Sequence, residues 1–486
     1  CLARGLGDTR DVYRRSSEPA SAFPPSRCLL KISRSRSRRA PFEYGAPMAV
    51  RGWARSVFVA VLVAAGNAQA GNDDELFVGN QAAMLGGAVL ATVSDSSALW
   101  YNPAGLGAVE RDQVDISATV YTLRVYQVPD FLAARGGRSE DGSVAEFVVA
   151  PSQLAYVRRF APGISGGIGY FVPRSSNYVL RESLDSGNRS ERSEWQVAAA
   201  IEEIQHIGAA GVGIAVSERL RLGASLIGGY AGNEQSITLF GAVHRPEQPD
   251  AVNTRTVIGT NGRLSLELGL GMQLELSDAF VLGVALRSPQ LQVYNGTNAT
   301  LNGAVASLPE AAAMKERDVS QQGLEVLRLG RAAASLSFFY PRGWLTAELD
   351  VQPGFQNAAA SVDRKLLVNG RLGWYHSLTR AVALGLGLFT DRHAETKHWA
   401  LLAGSGDFYG MTVGFELSNE HLLAASERAT SLIFNSVIAL RYAFCSGQFG
   451  RIEADPARIA DMPFIAKKGE LTVNEIGVYL GSGLRF

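Results

Sequence analysis

The chain has 486 residues, of which 47% are hydrophobic, and it carries 46 basic and 46 acidic residues. This length provides enough apolar surface for a large core. Mean hydropathy is only +0.04 and no run of about 18 consecutive apolar residues occurs, which excludes a bundle of transmembrane helices.

The first 47 residues are predicted to be translated upstream sequence that is not native to the protein. They begin with Cys1 and contain the low-complexity run SRSRSRR. A basic leader could instead bind nucleic acid. The export signal that follows makes that role hard to use, so we expect no nucleic-acid partner.

Residues 48–70 have the pattern of a secretory signal peptide. Arg51 and Arg55 precede an apolar run at 57–65, and Ala68-Gln69-Ala70 forms a small-residue cleavage site. A short buried helix is the alternative, but it would not require these three features in this order. We therefore predict export with cleavage after Ala70.

Cleavage would change the charge and the cysteine content. Residues 1–70 hold 12 of the Lys/Arg and 4 of the Asp/Glu residues, so 34 basic and 42 acidic groups remain, a net charge near −8. Cys1 and Cys28 leave with the leader. Cys445 alone remains, so no disulfide within the mature chain is expected.

From residue 111 to 486 the dominant pattern is period-two alternation. In RLSLELGLGMQLEL, residues 263–276, Leu or Met occupies every even position and a polar residue or Gly every odd one. Such a strand has one apolar face, which either packs in a sandwich or meets lipid. Fourteen candidate strands begin near residues 112, 146, 165, 193, 219, 253, 279, 329, 343, 364, 380, 406, 429 and 470.

The connections between these strands favour a membrane barrel over a sandwich. Short turns at 161–164, 217–219, 276–279, 341–343 and 376–380 alternate with longer segments that include 295–328 and 446–469. Aromatic residues crowd the short turns, as in an interfacial girdle. The sequence therefore predicts an all-β fold, a 14-stranded antiparallel transmembrane β-barrel.

The final segment, NEIGVYLGSGLRF, alternates to its end at Phe486. The unpaired edge of such a last strand is covered if the strand pairs with the first one and closes a barrel. Phe486 also resembles the carboxy-terminal aromatic signature that the barrel-assembly machinery of the outer membrane reads.

Residues 71–110 lie between the predicted cleavage site and the barrel and lack period-two alternation. They contain Gly86-Gly87-Ala88 and then Asn102-Pro103-Ala104 within the sequence YNPAGL. Asn-Pro alone is common turn chemistry. Placed after a signal peptide and before a barrel, the motif resembles the amino-terminal hatch of the outer-membrane long-chain fatty-acid transporter family, the FadL/TodX type.

This resemblance implies a function in the bacterial outer membrane, surrounded by its lipid. The family takes up hydrophobic small molecules such as long-chain fatty acids, without a cofactor, metal or catalytic residue. The ligand binds in the lumen above a hatch and leaves sideways through a gap in the wall, where strand 3 kinks inward. Here Pro173 lies in the predicted strand 3 behind three glycines, Gly166, Gly167 and Gly169. They mark either that opening or a simple bulge.

Two further features bear on the same mechanism. A possible capping box at Ser307 and Glu310 precedes a helix-prone run within 295–328, which could form an outer groove or simply cover the mouth. The strand phase points three arginines inward: Arg287, Arg371 and Arg441. Each could bind a ligand carboxylate or form an ion pair with a lumen carboxylate, and ion pairing is favoured for most of them.

Three other classes of function compete with uptake. An enzyme needs a catalytic set, and neither the six His residues nor the loop group His393, Glu395 and His398 supplies one or a complete metal site. A general porin would need an open pore, which a plug-like segment opposes. A non-transporting partner in protein export remains open.

Overall fold

The computed structural model describes residues 76–305, 317–321, 324–358, 362–394, 396, 404–423, 430–460 and 463–486. The predicted leader and signal peptide, residues 1–47 and 48–70, lie outside these ranges. So do Ser307, Glu310, Glu395 and His398.

The described residues form long β-strands with few helices. In chain order the strands are β1 Gln113–Ala134, β2 Ser139–Ala161, β3 Ile164–Gly187, β4 Arg192–Ala215, β5 Leu220–His244, β6 Ala251–Ser277, β7 Phe280–Arg287, β8 Gln290–Val305, β9 Arg317–Gln321, β10 Glu325–Arg328, β11 Arg331–Tyr340, β12 Gly343–Gln352, β13 Phe355–Asn357, β14 Val362–Arg364, β15 Leu367–Ser377, β16 Val382–Asp391, β17 Gly404–Leu423, β18 Thr430–Ala454 and β19 Phe464–Arg485.

These strands build one closed antiparallel barrel with fourteen wall positions in the described ranges. β7 and β8 together make the seventh wall strand, because both pair with β6. β9, β10 and β11 likewise make the eighth, and β13 with β14 forms a separate two-stranded sheet. The last strand closes the wall on the first, from Gln113 opposite Arg485 to Gln127 opposite Thr472.

The alternation of residues 263–276 separates outside from inside as predicted. Leu268 and Leu270 are each 56% exposed on the outer face, while Glu267 and Gln273 are buried towards the lumen. Repeated on neighbouring strands, this arrangement surrounds a polar interior with an apolar belt, as in transmembrane barrels.

The barrel extends further than the sequence predicts at the end with the longer connections. The predicted loop at 295–328 contains β8 up to Val305, β9 and β10, and the predicted loop at 446–469 is shortened to residues 455–463 by β18 and β19. Both loop predictions were wrong, because strands pair through backbone hydrogen bonds, which any side-chain pattern allows. A strand that leaves the apolar belt no longer needs an apolar face, so its side chains lose the period-two signal.

The predicted helix within 295–328 is therefore wrong in its described part. Residues 317–321 pair with β8, and residues 325–328 pair with β8 nearer the membrane belt. The connection from β5 to β6 spans only residues 245–250.

Residues 76–110 lie inside the lumen and are called the inner segment below. The segment contains helix α1 Asn80–Met84 and two 3-10 helices, Ser96–Leu99 and Pro103–Ala108. Most of its side chains are buried, and they form one apolar cluster with residues of the wall. Among the helices in the described ranges, none is long and apolar enough to cross a membrane.

The carboxyl terminus lies at the end of the barrel with the short turns. The Phe486 amide donates to the Asp112 carbonyl oxygen (2.9 Å), so the last residue is tied to the residue that precedes β1. The Phe486 side chain remains exposed. Its recognition by assembly machinery stays a prediction.

Candidate functional site

A cavity of about 120 Å³ lies in the lumen between the inner segment and a second apolar cluster near the mouth. The guanidinium of Arg441 marks the side facing the inner segment, because it stacks over the rings of Phe77 (4.7 Å) and Phe389 (4.6 Å). Phe449 and Leu471 line the opposite side.

The cavity wall is amphipathic. Its apolar lining includes Ile201, Phe408, Leu471 and Val473, and its polar lining includes Arg124, Arg174, Arg441, Glu203 and Glu475. The charges are paired: Glu475 bridges Arg124 (2.6 Å) and Arg441 (2.8 Å), and Arg174 pairs with Glu203 (3.2 Å). A ligand with an apolar body and a polar end fits such a lining.

Of the three arginines predicted from strand phase, Arg441 lines this cavity and the other two contact the inner segment. Arg287 stacks over the Trp100 ring at 4.0 Å, donates to the Trp100 carbonyl (2.5 Å) and lies 3.7 Å from Glu267. Arg371 pairs with Glu348 at 2.8 Å.

Glu348 in turn accepts the backbone N–H groups of Val89 (3.1 Å) and Leu90 (3.2 Å). Arg287 and Arg371 thus hold the inner segment against the wall, which matches the ion-pair alternative weighed for them.

The Asn102-Pro103-Ala104 motif is buried against β6. Asn102 caps the helix Pro103–Ala108 by accepting the Ala104 N–H (3.2 Å), and its amide donates to the carbonyls of Leu90 (2.8 Å) and Met272 (3.1 Å). One side chain therefore joins three segments of chain. Gly271 on β6 makes room for it, since a Cβ built there would lie 2.0 Å from Asn102 Oδ1.

The wall is incomplete beside the cavity. In the fully described strands β2 and β3, pairing runs from Ile164 opposite Ala161 to Phe171 opposite Gln153 and stops there, although β3 continues to Gly187. The pairing of β3 with β4 continues past this point with a shift between Phe171 and Arg174. Pro173 lies at this shift, and Gly166, Gly167 and Gly169 lie in the paired half below it.

The gap above Phe171 is filled from inside by the inner segment. The Leu76 amide donates to the Pro173 carbonyl (2.8 Å). The Leu76 side chain packs with Val148, Ala150 and Val172 in a small apolar cluster.

An apolar cluster lies at the mouth of the barrel, along β1–β6, β18 and β19. The cluster contains residues of eight strands. Its large buried side chains include Phe131, Trp195 and Phe464. Phe131 lies within the register shift between Val128 and Leu132 of β1, and Trp195 packs edge-on against Phe464 at 5.6 Å. The cavity therefore has an apolar cluster on each side.

Several residues of this region were missed by the sequence analysis, above all Arg124, Glu146 and Glu475. The sequence does indicate that Arg124 faces the lumen, because the period-two phase of β1 points Arg124 inward while Leu123 faces out. Which carboxylate each arginine meets depends on strand register, which alternation alone does not specify.

Comparisons with known proteins agree with this architecture. No family model matches the sequence, and no curated protein matches it. Among solved structures, a Pseudomonas aeruginosa FadL homologue aligns at 13% identity with a TM-score of 0.57, covering 84% of this chain and 98% of that one.

Two further structures align over similar lengths. They are the Pseudomonas putida toluene transporter TodX (14% identity, TM-score 0.55, 85% of this chain and 99% of that one) and the CymD monoaromatic hydrocarbon channel (12%, 0.50, 85% and 98%). The chain therefore has the fold of FadL/TodX-type β-barrel channels.

Proposed function

We propose that the protein is an outer-membrane channel for the uptake of hydrophobic small molecules such as long-chain fatty acids. The observation that carries this proposal is an amphipathic cavity that has an apolar cluster on each side and lies beside a gap in the wall. The FadL homologue and the TodX and CymD channels of the same fold support it.

In this mechanism the inner segment acts as the hatch. An apolar molecule passes the side chains at the mouth, binds in the cavity and leaves between β2 and β3. Desolvation makes the same passage costly for ions and sugars. A general porin is disfavoured because its pore would have to be water-filled.

The decisive experiment compares two fluxes, of oleate and of sugars, with purified protein in liposomes. We expect uptake of labelled oleate without liposome swelling by sugars. Fast, unselective swelling would support the porin, and the absence of both fluxes would support the non-transporting partner. Mass spectrometry of lipids that co-purify with the detergent-extracted protein would identify the ligand class.

Arg441→Leu is expected to weaken oleate binding at least about tenfold, because one charge-assisted hydrogen bond contributes about 1.5–3 kcal/mol. Binding can be followed by fluorescence titration. Arg221→Leu is the matched control, since Arg221 pairs with Glu275 (2.7 Å) near a short turn and does not line the cavity. Equal affinities of the two variants would exclude Arg441 as the head-group ligand.

Pro173→Val is expected to slow oleate transfer at least severalfold while leaving oleate binding intact. Valine restores an N–H and the strand preference that proline removes, so β3 can pair further along β2 and narrow the gap. Pro162→Val, in the turn before β3, serves as the control. Unchanged transfer in Pro173→Val would remove the gap from the exit route.

A further inference from the structure

The upper half of β3 has an edge that no neighbouring strand covers. Its pairing with β2 ends at Phe171, and the groups of Pro173, Ser175 and Asn177 that face this edge follow one another at every second residue. Buried backbone groups need partners. Leu76 supplies the partner of the Pro173 carbonyl.

The next two positions along the edge are taken by a single ion pair. Arg124 on β1 donates from its guanidinium to the Ser175 carbonyl (3.2 Å), and the Asn177 amide donates to Glu146 Oε1 on β2. Arg124 and Glu146 lie 3.5 Å apart, and both are almost completely buried. The Tyr126 hydroxyl donates to the other Glu146 oxygen (2.6 Å), which holds the carboxylate in place.

This pair occupies the place of a missing rung of the ladder. A neighbouring strand would offer β3 one N–H and one C=O, and here the guanidinium is the donor and the carboxylate the acceptor. The resemblance to a rung has a mechanical consequence. Two side chains can separate by changing rotamer, whereas a paired strand can separate only by breaking a series of backbone hydrogen bonds.

We propose that the Arg124–Glu146 pair is a removable side-chain closure of the wall between β2 and β3. While the pair is intact, it holds the free edge of β3 in place. When it separates, the Asn177 amide and the Ser175 carbonyl lose their partners and this part of the wall opens.

The closure is coupled to the cavity through Arg124. The same guanidinium that reaches Ser175 is bonded to Glu475, lines the cavity and lies close to Arg441, which shares Glu475. An anionic head group that enters the cavity competes with Glu146 and Glu475 for Arg124. The closure is therefore released by a carboxylate ligand and not by a plain hydrocarbon, a step that rests on the proposed function.

The closure itself is tested without ligand, by hydrogen exchange at the Asn177 amide in the detergent-solubilised protein. Glu146→Leu removes the acceptor but leaves Arg124 paired with Glu475. We expect exchange at Asn177 at least about tenfold faster than in the wild type, since tenfold is the lower limit for the loss of a charge-assisted hydrogen bond.

Glu203→Leu is the matched control. It also removes a lumen carboxylate paired with arginine, but Glu203 lies opposite Ser176 within the intact β3–β4 ladder. Wild-type exchange at Asn177 is expected there. Heat-modifiable migration on gels checks that both variants are folded barrels. If Glu146→Leu does not fold, Glu146→Gln weakens the same contact, and a wild-type rate in the folded variant would overturn the closure.

Release is tested with sodium oleate and oleyl alcohol, which share a chain and differ in the carboxylate. We expect oleate to accelerate exchange at Asn177 in the wild type and oleyl alcohol to leave it unchanged. If oleate binds without changing the rate, or both ligands act equally, release by the carboxylate is overturned. If oleate does not bind at all, the proposed function and the release step fail together, and the ligand-free comparison still decides the closure.

Discussion

Replacing Glu475 by Leu is expected to reduce the free energy of unfolding by roughly 3–5 kcal/mol, the effect of leaving a buried charge without its partner. Glu475 is 1% exposed and receives both Arg124 (2.6 Å) and Arg441 (2.8 Å). After the substitution Arg124 keeps Glu146 at 3.5 Å, whereas Arg441 loses its 2.8 Å contact with Glu475.

The measurement is the urea dependence of folding into phospholipid vesicles. Glu275→Leu is the comparison, because Glu275 pairs with Arg221 at 2.7 Å but both side chains are partly exposed to solvent. An exposed pair contributes about 0–1 kcal/mol. Similar losses in the two variants would show that burial does not decide the strength of these lumen pairs.

Gly271→Ala is expected to loosen the inner segment and to make the barrel conduct ions. The added Cβ would lie 2.0 Å from Asn102 Oδ1 and 2.8 Å from the Ala104 nitrogen, so the helix that begins at Pro103 has to move. Overpacking of this kind costs roughly 1–3 kcal/mol. The hydrogen bonds of Asn102 to Leu90 and Met272 are strained at the same time.

Planar-bilayer recordings measure the result as current bursts that the wild type lacks. Gly228→Ala is the control, since the nearest atom to its added Cβ is Leu266 Cδ2 at 3.6 Å, an ordinary contact. If Gly271→Ala shows no current bursts and has the unfolding midpoint of the wild type, the inner segment tolerates the displacement. Gly271 is then not needed to hold the inner segment in place.

The barrel, and the pairing of its last strand with its first, could be predicted from the sequence because contact with lipid imposes a pattern on neighbouring residues. A strand between hydrocarbon and a polar lumen alternates at every residue, so residues 263–276 reveal their own two faces. The predicted start of β3 near residue 165 and of β12 near residue 343 agree closely with Ile164 and Gly343. The closing pair of β1 with β19 agrees with the alternation that runs to the end of the chain.

Outside the lipid belt this rule does not apply, and the predictions there were less successful. The stretch 317–321 looked helix-prone by composition but is a strand, because β8 offers it a free ladder. Local preference is overridden where a neighbouring edge supplies backbone hydrogen bonds. The starts of β2 and β19 also come earlier than predicted for this reason.

The amino-acid sequence by itself determined which faces of the strands meet lipid and how many strands surround the lumen. Both properties follow from residues that are neighbours along the chain. The tertiary structure decided that Arg441 lines the cavity while Arg287 and Arg371 hold the inner segment, and that Arg124 and Glu146 cover the edge of β3. These contacts join residues far apart in sequence, and their distances depend on the register of every strand between them.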